Sequence, residues 1–455
     1  MTVSETTSTN PWLSGNFRPV SEETTATDLP VEGRIPAELE GRLLRNGANP
    51  IGPVDPETHH WFMGDGMVHG VRLRYGRAEW YRNRWVRGPA VTAGLGEPDL
   101  PGPRTLNEFS ANTSVIGFAG RTLALVEAGL TPVELDYELN SVARFDFDAT
   151  LPCAFTAHPK LDPVTGELHA VCYWWPDRAG AVQYVVVGTD GLVRRCVDVP
   201  VPGMPLVHDM GLTARYAVIL DLPVTVSLEL VMAGDTFPVA WNPDYQPRVG
   251  LLPRDGTGDD VIWCDVESGF VFHPLNAYDA PDGTVVFDVC RYETMFDRSR
   301  IGPDHVPTLD RWTIDPVSGK VTEEKISDRA QEFPRVAPEV VGRPHRYGYT
   351  ASLVSGFLPG PTLRHDLATG TTAEHDHGPG RFATEPVPVT RHGGGEGDEW
   401  VLSVVYDAGT DRSELVVLDG ADFTGPPVAR VFLPRRVPFG FHGDWVPDAV
   451  AGPGS

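Results

Sequence analysis

FVFHPLNAYDAPDGTVVFDVC, residues 270–290, reads as an apolar run, a turn and a second apolar run. Aromatic and β-branched residues on both sides suit a pleated, half-buried surface, and Asp282-Gly283 between them supplies a side-chain cap and a residue free to take positive φ. That is hairpin chemistry, with one histidine, His273, set inside the first strand. The same grammar recurs outward along the chain. MVHGVRLRYG, AEWYRNRWV, TLALVEAG, HAVCYWW, VQYVVVG, YAVILDL, WVLSVVYD and ELVVLDG are short strand-like runs ended by turn residues. Turns of one kind lie between such runs: DPVTG (162–166), DPVSG (315–319), DLATG (366–370) and a DGL variant at Asp190. Almost nothing has helical periodicity. A score or more of short antiparallel strands fits a sandwich, a large barrel or a propeller, and the irregular spacing of the turns excludes a textual repeat.

Composition supports this. In 455 residues there are 48 glycines and 43 prolines, an excess that many tight turns require. The length allows about three ordinary domains, but a bladed all-β architecture stays single at this size. We therefore expect one catalytic domain over residues 31–455 and a loosely held, Ser/Thr/Glu-rich arm over residues 1–30. A formal charge of −25 argues against nucleic acid, which needs clustered Lys and Arg, and would oppose contact with an anionic bilayer unless that contact were apolar. Five cysteines without CxxC spacing read as buried free thiols in a reducing compartment. MTVSETTSTNPWLSG has no signal-peptide pattern and no apolar run reaches the length of a membrane span, so a soluble, cytoplasmic protein is expected.

Three further segments resemble the setting of His273: FTAHPK (His158), LVHDMG (His208) and FGFHGDW (His442). No local spacing joins them, so they meet only if the fold brings them together. A propeller does this best, because the innermost strands of successive blades all line one axis. Glu127 in LALVEAG, Glu332 in QEFPRV and Glu385 in FATEPVPV lie in similarly apolar settings. A single histidine in a strand is more often structural than a ligand, and a glutamate at a strand end commonly pairs with an arginine. His59, His60 and His69 form a rival cluster, whereas His375 and His377 in EHDHGPG look like a solvated loop. If the four act together, iron suits them better than zinc. Closed zinc sites usually recruit cysteine, while four imidazoles leave an octahedral Fe(II) two open positions.

Eight segments now carry a family resemblance. HHWFMGDGMVHG, TAHPK, HDM, FHPLNAYD, EFPR, EPVPV, VLSVVYD and FHGDWVP resemble the carotenoid cleavage oxygenases, in the same order, from RNGANP (45–50) to WVP (445–447). The resemblance implies an all-β, seven-bladed β-propeller with a loop or short-helix cap over an axial iron site. It implies one Fe(II) per chain held by His158, His208, His273 and His442, with Glu127, Glu332 and Glu385 behind the imidazoles, and O2 as co-substrate. Thr113 in ANTSVI matches a threonine beside an open iron position. The implied reaction is oxidative scission of a C=C bond in a carotenoid or apocarotenoid into two carbonyl products.

An apolar substrate calls for apolar walls, and Trp61, Phe62, Phe109, Phe118, Val126, Phe333 and residues 222–240 are the candidates. The 222–254 stretch lacks a regular period and suits a loop or short helix near the site, where an apolar patch would allow peripheral membrane contact. Similar enzymes that cleave phenolic stilbenes carry a lysine directly before the first of the three glutamates; here that residue is Val126, which favours a carotenoid. A retinoid-type isomerase on the same fold and a metal-free binding propeller are the other readings. No obligate protein partner is implied.

Overall fold

The computed structural model describes residues 10–104, 110–128, 131–173, 178–300 and 302–448. Within them the hairpin at 270–290 forms as Phe270–Asp279 paired antiparallel with Val285–Tyr292. Gly283 takes φ 92° and the Asp282 carboxylate accepts the Thr284 N–H at 3.0 Å. Gly166, Gly319 and Gly370 close the three DxxxG turns at φ 71°, 72° and 68°. Val285–Tyr292 is buried on both faces at nearly every position, as a mid-blade strand sandwiched between neighbouring blades must be.

The strands assemble into seven blades around an axis. First strands of adjacent blades touch: Gly443–Pro447 against Ser114–Phe118, Met210–Leu212 against Phe270–Asp279, and Phe270–Asp279 against Gln331–Arg335. The ring is closed twice. C-terminal Gly443–Pro447 pairs with N-terminal Gly41–Ala48, and Val31–Gly33 pairs with Ala429–Phe432 in the preceding blade. A two-stranded ribbon, Val224–Val226 with Val239–Trp241, carries the five-residue helix Leu228–Met232, the short-helix cap expected from 222–254.

Residues 10–27 differ from the expected loose arm. Trp12 is 5% exposed and stacks on Trp61 at 5.5 Å, the buried Asn16 amide donates to the Val437 carbonyl at 2.8 Å, and Thr24–Thr27 pairs with Arg77–Trp85. Two aromatic rings and a strand edge bind a segment whose polar composition suggested none. His375 also departs from expectation: it ends the strand Thr371–His375, is buried, and its Nδ1 meets the Phe423 carbonyl at 3.1 Å; His377 bonds Thr362 through Nε2. Cys172, Cys264 and Cys290 are buried thiols, but Cys153 and Cys196 are half-buried, their free thiols hydrogen-bonded to each other at 3.6 Å. Among the described residues no helix is long and apolar enough to cross a membrane.

Candidate metal centre

The inner strands are irregular where they carry the histidines. Pairing of Phe270–Asp279 slips between Val271 and Pro274 and again between Pro274 and Asn276, a bulge that re-aims His273 toward the axis. His-Pro at 158–159 and at 273–274 fits an inner edge, since proline offers no N–H to a ladder. Glu332 sits at a second slip, followed by Phe333 with φ 55°; the Phe333 N–H donates to the Glu332 carboxylate at 2.7 Å and holds that left-handed turn.

His158, His208, His273 and His442 converge, each 7–9% exposed, with candidate ligand atoms all within 4.8 Å of one another. Ring centroids lie 4.4 Å apart for His158 and His208, 4.5 Å for His158 and His442, and 4.6 Å for His273 and His442. The Nε2 atoms of His208 and His273 are 3.1 Å apart, and the buried Nε2 of His158 has no partner. Nitrogens crowded together without a proton acceptor are what a cation would join.

Behind them, Nδ1–H of His208 donates to Glu127 at 2.8 Å, that of His273 to Glu332 at 2.6 Å, and that of His442 to Glu385 at 3.0 Å. A proton fixed on Nδ1 leaves the Nε2 lone pair free for the metal. Burial, reinforced by the other three imidazoles, pushes His158 well below the ordinary histidine value. Burial likewise lowers His442 to about 3 against the opposing pull of Glu385. For His208 burial acts downward but the Glu127 carboxylate more than offsets it, and the net shift is upward. The donor set fits iron: four imidazoles, three of them backed by carboxylates, and no cysteine in the group.

Thr113 lies beside the centre. Its carbonyl accepts the His442 N–H at 3.1 Å and its hydroxyl donates to Asn112 at 2.9 Å. An aromatic wall adjoins the imidazoles. Phe333 stacks on His273 at 5.6 Å and lies 5.2 Å from His442, while Phe272 packs against His208 at 5.2 Å. Phe62 meets Phe272 and Phe441 at 5.9 and 5.8 Å, and Trp61 meets Phe441 at 4.9 Å. Phe237, from the 222–240 stretch, continues the wall through Phe62 at 5.4 Å.

Two candidates fall elsewhere. Phe118 packs with Phe145 and Phe155 in an inter-blade core, because its place on Ser114–Phe118 faces the next blade. Val126, adjacent to Glu127 and so on the opposite side of the strand path, packs with Ala111, Val115 and Val133 and not with the aromatic wall. Phe109 lies outside the described residues. Of the rival histidines, His60 joins the wall, stacked on Phe237 at 4.9 Å, whereas His69 bonds the Tyr81 hydroxyl at 2.9 Å; among the described residues they form no cluster.

Sequence reasoning missed two supporting residues. Arg335 reaches Glu385 at 3.4 Å, the Gly443 carbonyl at 3.1 Å and Asp444 at 3.1 Å, so Glu385 pairs with a histidine and an arginine at once. With them it stays at about 2 despite burial, which alone would raise it. The Tyr292 hydroxyl donates to Glu332 at 3.2 Å. The arginine was visible in EFPR; nothing local marks the tyrosine.

A β-propeller with four imidazoles on its axis and carboxylates behind them belongs to the class of non-haem metal oxygenases. The chain matches the retinal pigment epithelial membrane protein family over residues 17–447 and belongs to it, within the carotenoid cleavage oxygenases. It is 47% identical to a carotenoid cleavage oxygenase of Mycobacterium tuberculosis, over 97% of this chain and 98% of that one. It is 31% identical to carotenoid 9,10(9',10')-cleavage dioxygenase 1 of Arabidopsis thaliana, over 95% and 89%. Among solved structures it is similar to a Pseudomonas brassicacearum lignostilbene dioxygenase, with TM-score 0.88, 30% identity and 97% and 99% coverage. It is also similar to cobalt-substituted Synechocystis ACO, with TM-score 0.85, 28% identity and 94% and 97% coverage. The protein is a dioxygenase of this family.

Proposed function

We propose that this protein uses one Fe(II) per chain and O2 to cleave a C=C bond of a carotenoid or apocarotenoid, giving two carbonyl products. The observation that carries this reading is the convergence of His158, His208, His273 and His442 beside a wall of phenylalanines. When bound, Fe(II) supplies redox chemistry toward dioxygen. The chain's own residues do the rest. Glu127, Glu332 and Glu385 hold the Nδ1 protons of His208, His273 and His442 and fix those three rings. Arg335 and Tyr292 hold two of those carboxylates. Phe62, Phe272 and Phe333 give a flat conjugated chain apolar surface to lie against and exclude water from the reacting bond.

Stilbene cleavage is the second reading, favoured by the similarity to the lignostilbene dioxygenase. Against it, the residue before Glu127 is a valine that packs away from the aromatic wall, so that position offers no amine to meet a phenol oxygen. Delivery of an apolar substrate suits the cap helix, whose Leu228, Val231 and Met232 are 64%, 47% and 89% exposed a few residues before Phe237. A cytoplasmic protein touching a bilayer through that patch is the arrangement we favour.

Anaerobic incubation with carotenoids, apocarotenoids and stilbenes, followed by oxygen and mass analysis, tests the proposal. Paired aldehydes from a carotenoid or apocarotenoid support it. Cleavage of stilbenes alone favours the second reading, and isomerised retinoid without oxygen uptake, or binding without iron, would refute both.

A further inference from the structure

One of the four histidines is supported differently from the rest. His208, His273 and His442 each donate Nδ1–H to a glutamate at 2.6–3.0 Å. The carboxylate nearest the Nδ1 of His158 is Asp209, at 3.9 Å, about 1 Å beyond a hydrogen bond. Asp209 is buried, with its side chain 2% exposed, and already committed: the Lys160 ammonium lies 2.8 Å from both of its oxygens and the Met210 N–H donates to it at 2.6 Å. Lys160 stands two residues after His158, and Asp209 directly follows His208. The pair therefore ties the segments that bear two ligands.

Resting on the iron-centred reading above, we propose that Lys160 is a positioning residue that holds Asp209 away from His158, making His158 the one ligand without a carboxylate behind its ring. A carboxylate on Nδ1–H makes an imidazole a stronger donor and locks its orientation. Withholding it makes His158 the weakest of the four donors and the ring least tightly held. The ammonium beside the ring adds to this, because its positive charge draws electron density away from the metal.

The test is metal affinity and the visible spectrum of the cobalt-substituted protein in four variants. Lys160→Met frees Asp209 to move about 1 Å and accept the His158 Nδ1–H. Fe(II) affinity, measured by chelator competition, then rises about tenfold and the cobalt bands shift. Lys160→Arg keeps the cation, and its affinity and spectrum stay native. Asp209→Asn removes a carboxylate that makes no bond to His158, so affinity changes less than about twofold, whereas Glu332→Gln loses about 10- to 100-fold. Asp209→Asn losing metal as severely as Glu332→Gln overturns the proposal, as does Lys160→Met with unchanged affinity and bands. If Lys160→Met folds poorly, the comparison of Asp209→Asn with Glu332→Gln decides. Native protein that binds neither iron nor cobalt would instead refute the metal centre itself, a result separable from any difference among the variants.

Discussion

Replacing Glu332 with glutamine changes one atom and should loosen the metal by more than an order of magnitude. Three donors converge on this carboxylate: His273 Nδ1–H at 2.6 Å, the Phe333 N–H at 2.7 Å and the Tyr292 hydroxyl at 3.2 Å. A glutamine amide has one oxygen, which can serve His273 and Phe333, while Tyr292 can rotate to accept from the new NH2. Geometry survives and charge does not. Hydrogen bonds to a charged group contribute about 1.5–3 kcal/mol and neutral ones about 0.5–1.5, so two weakened bonds cost about 2 kcal/mol. If that loss falls on the metal-bound state, iron affinity drops about 30-fold. Glu332→Ala goes further, leaving the Phe333 N–H and the Tyr292 hydroxyl unpaired in a buried site at about 1–3 kcal/mol each and untethering the φ 55° turn. Chelator competition gives the affinity, and denaturant unfolding of the metal-free protein gives the stability. Glu127, whose side chain is 21% exposed, should matter less when changed to glutamine. Glu332→Gln with an affinity within twofold of native would refute the reasoning.

Three other outcomes follow from the same contacts. Trp12→Ala removes a buried, stacked ring and should cost about 3–5 kcal/mol in urea unfolding; no change would mean that the N-terminal segment is not bound to the blades. His69 and His365 are buried, and burial lowers them to about 3 and about 4. Their folded values lie below the unfolded value of about 6.5, so their contribution is complete above pH 6.5 and lost as pH falls. Unfolding free energy should drop by about 1.4 kcal/mol per pH unit for each between pH 6.5 and 4, and His365→Gln should flatten that slope by one proton. Changing Leu228, Val231 and Met232 together to serine should reduce co-sedimentation with neutral lipid vesicles while leaving thermal stability unchanged; undiminished sedimentation counts against the cap as the contact.

Much of the architecture could be read from local chemistry. Asp-Gly turns and β-branched runs specify hairpins because the side-chain cap and positive φ are properties of two or three adjacent residues. The ligand segments were legible for a related reason, since the histidines of FVFHPLN and FGFHGDW are polar groups set among aromatic and apolar residues that bury them. What escaped depends on contacts between distant segments. Trp12 is held by Trp61 and Asn16 by Val437, neither of which a polar N-terminal composition announces. His375 looked solvated because EHDHGPG is polar, yet a strand end and the Phe423 carbonyl bury it. Val126 looked like a wall residue by adjacency to Glu127, but adjacent residues along an extended chain point to opposite sides.

Four imidazole nitrogens, and no carboxylate or thiolate, should hold the metal. X-ray absorption of the Fe(II)-reconstituted protein tests this most directly. Native protein should show one iron per chain with four imidazole scatterers around it, and His442→Ala should reduce that number or release the iron. A first coordination sphere containing sulfur, or one unchanged in number and affinity by His442→Ala, would contradict the account.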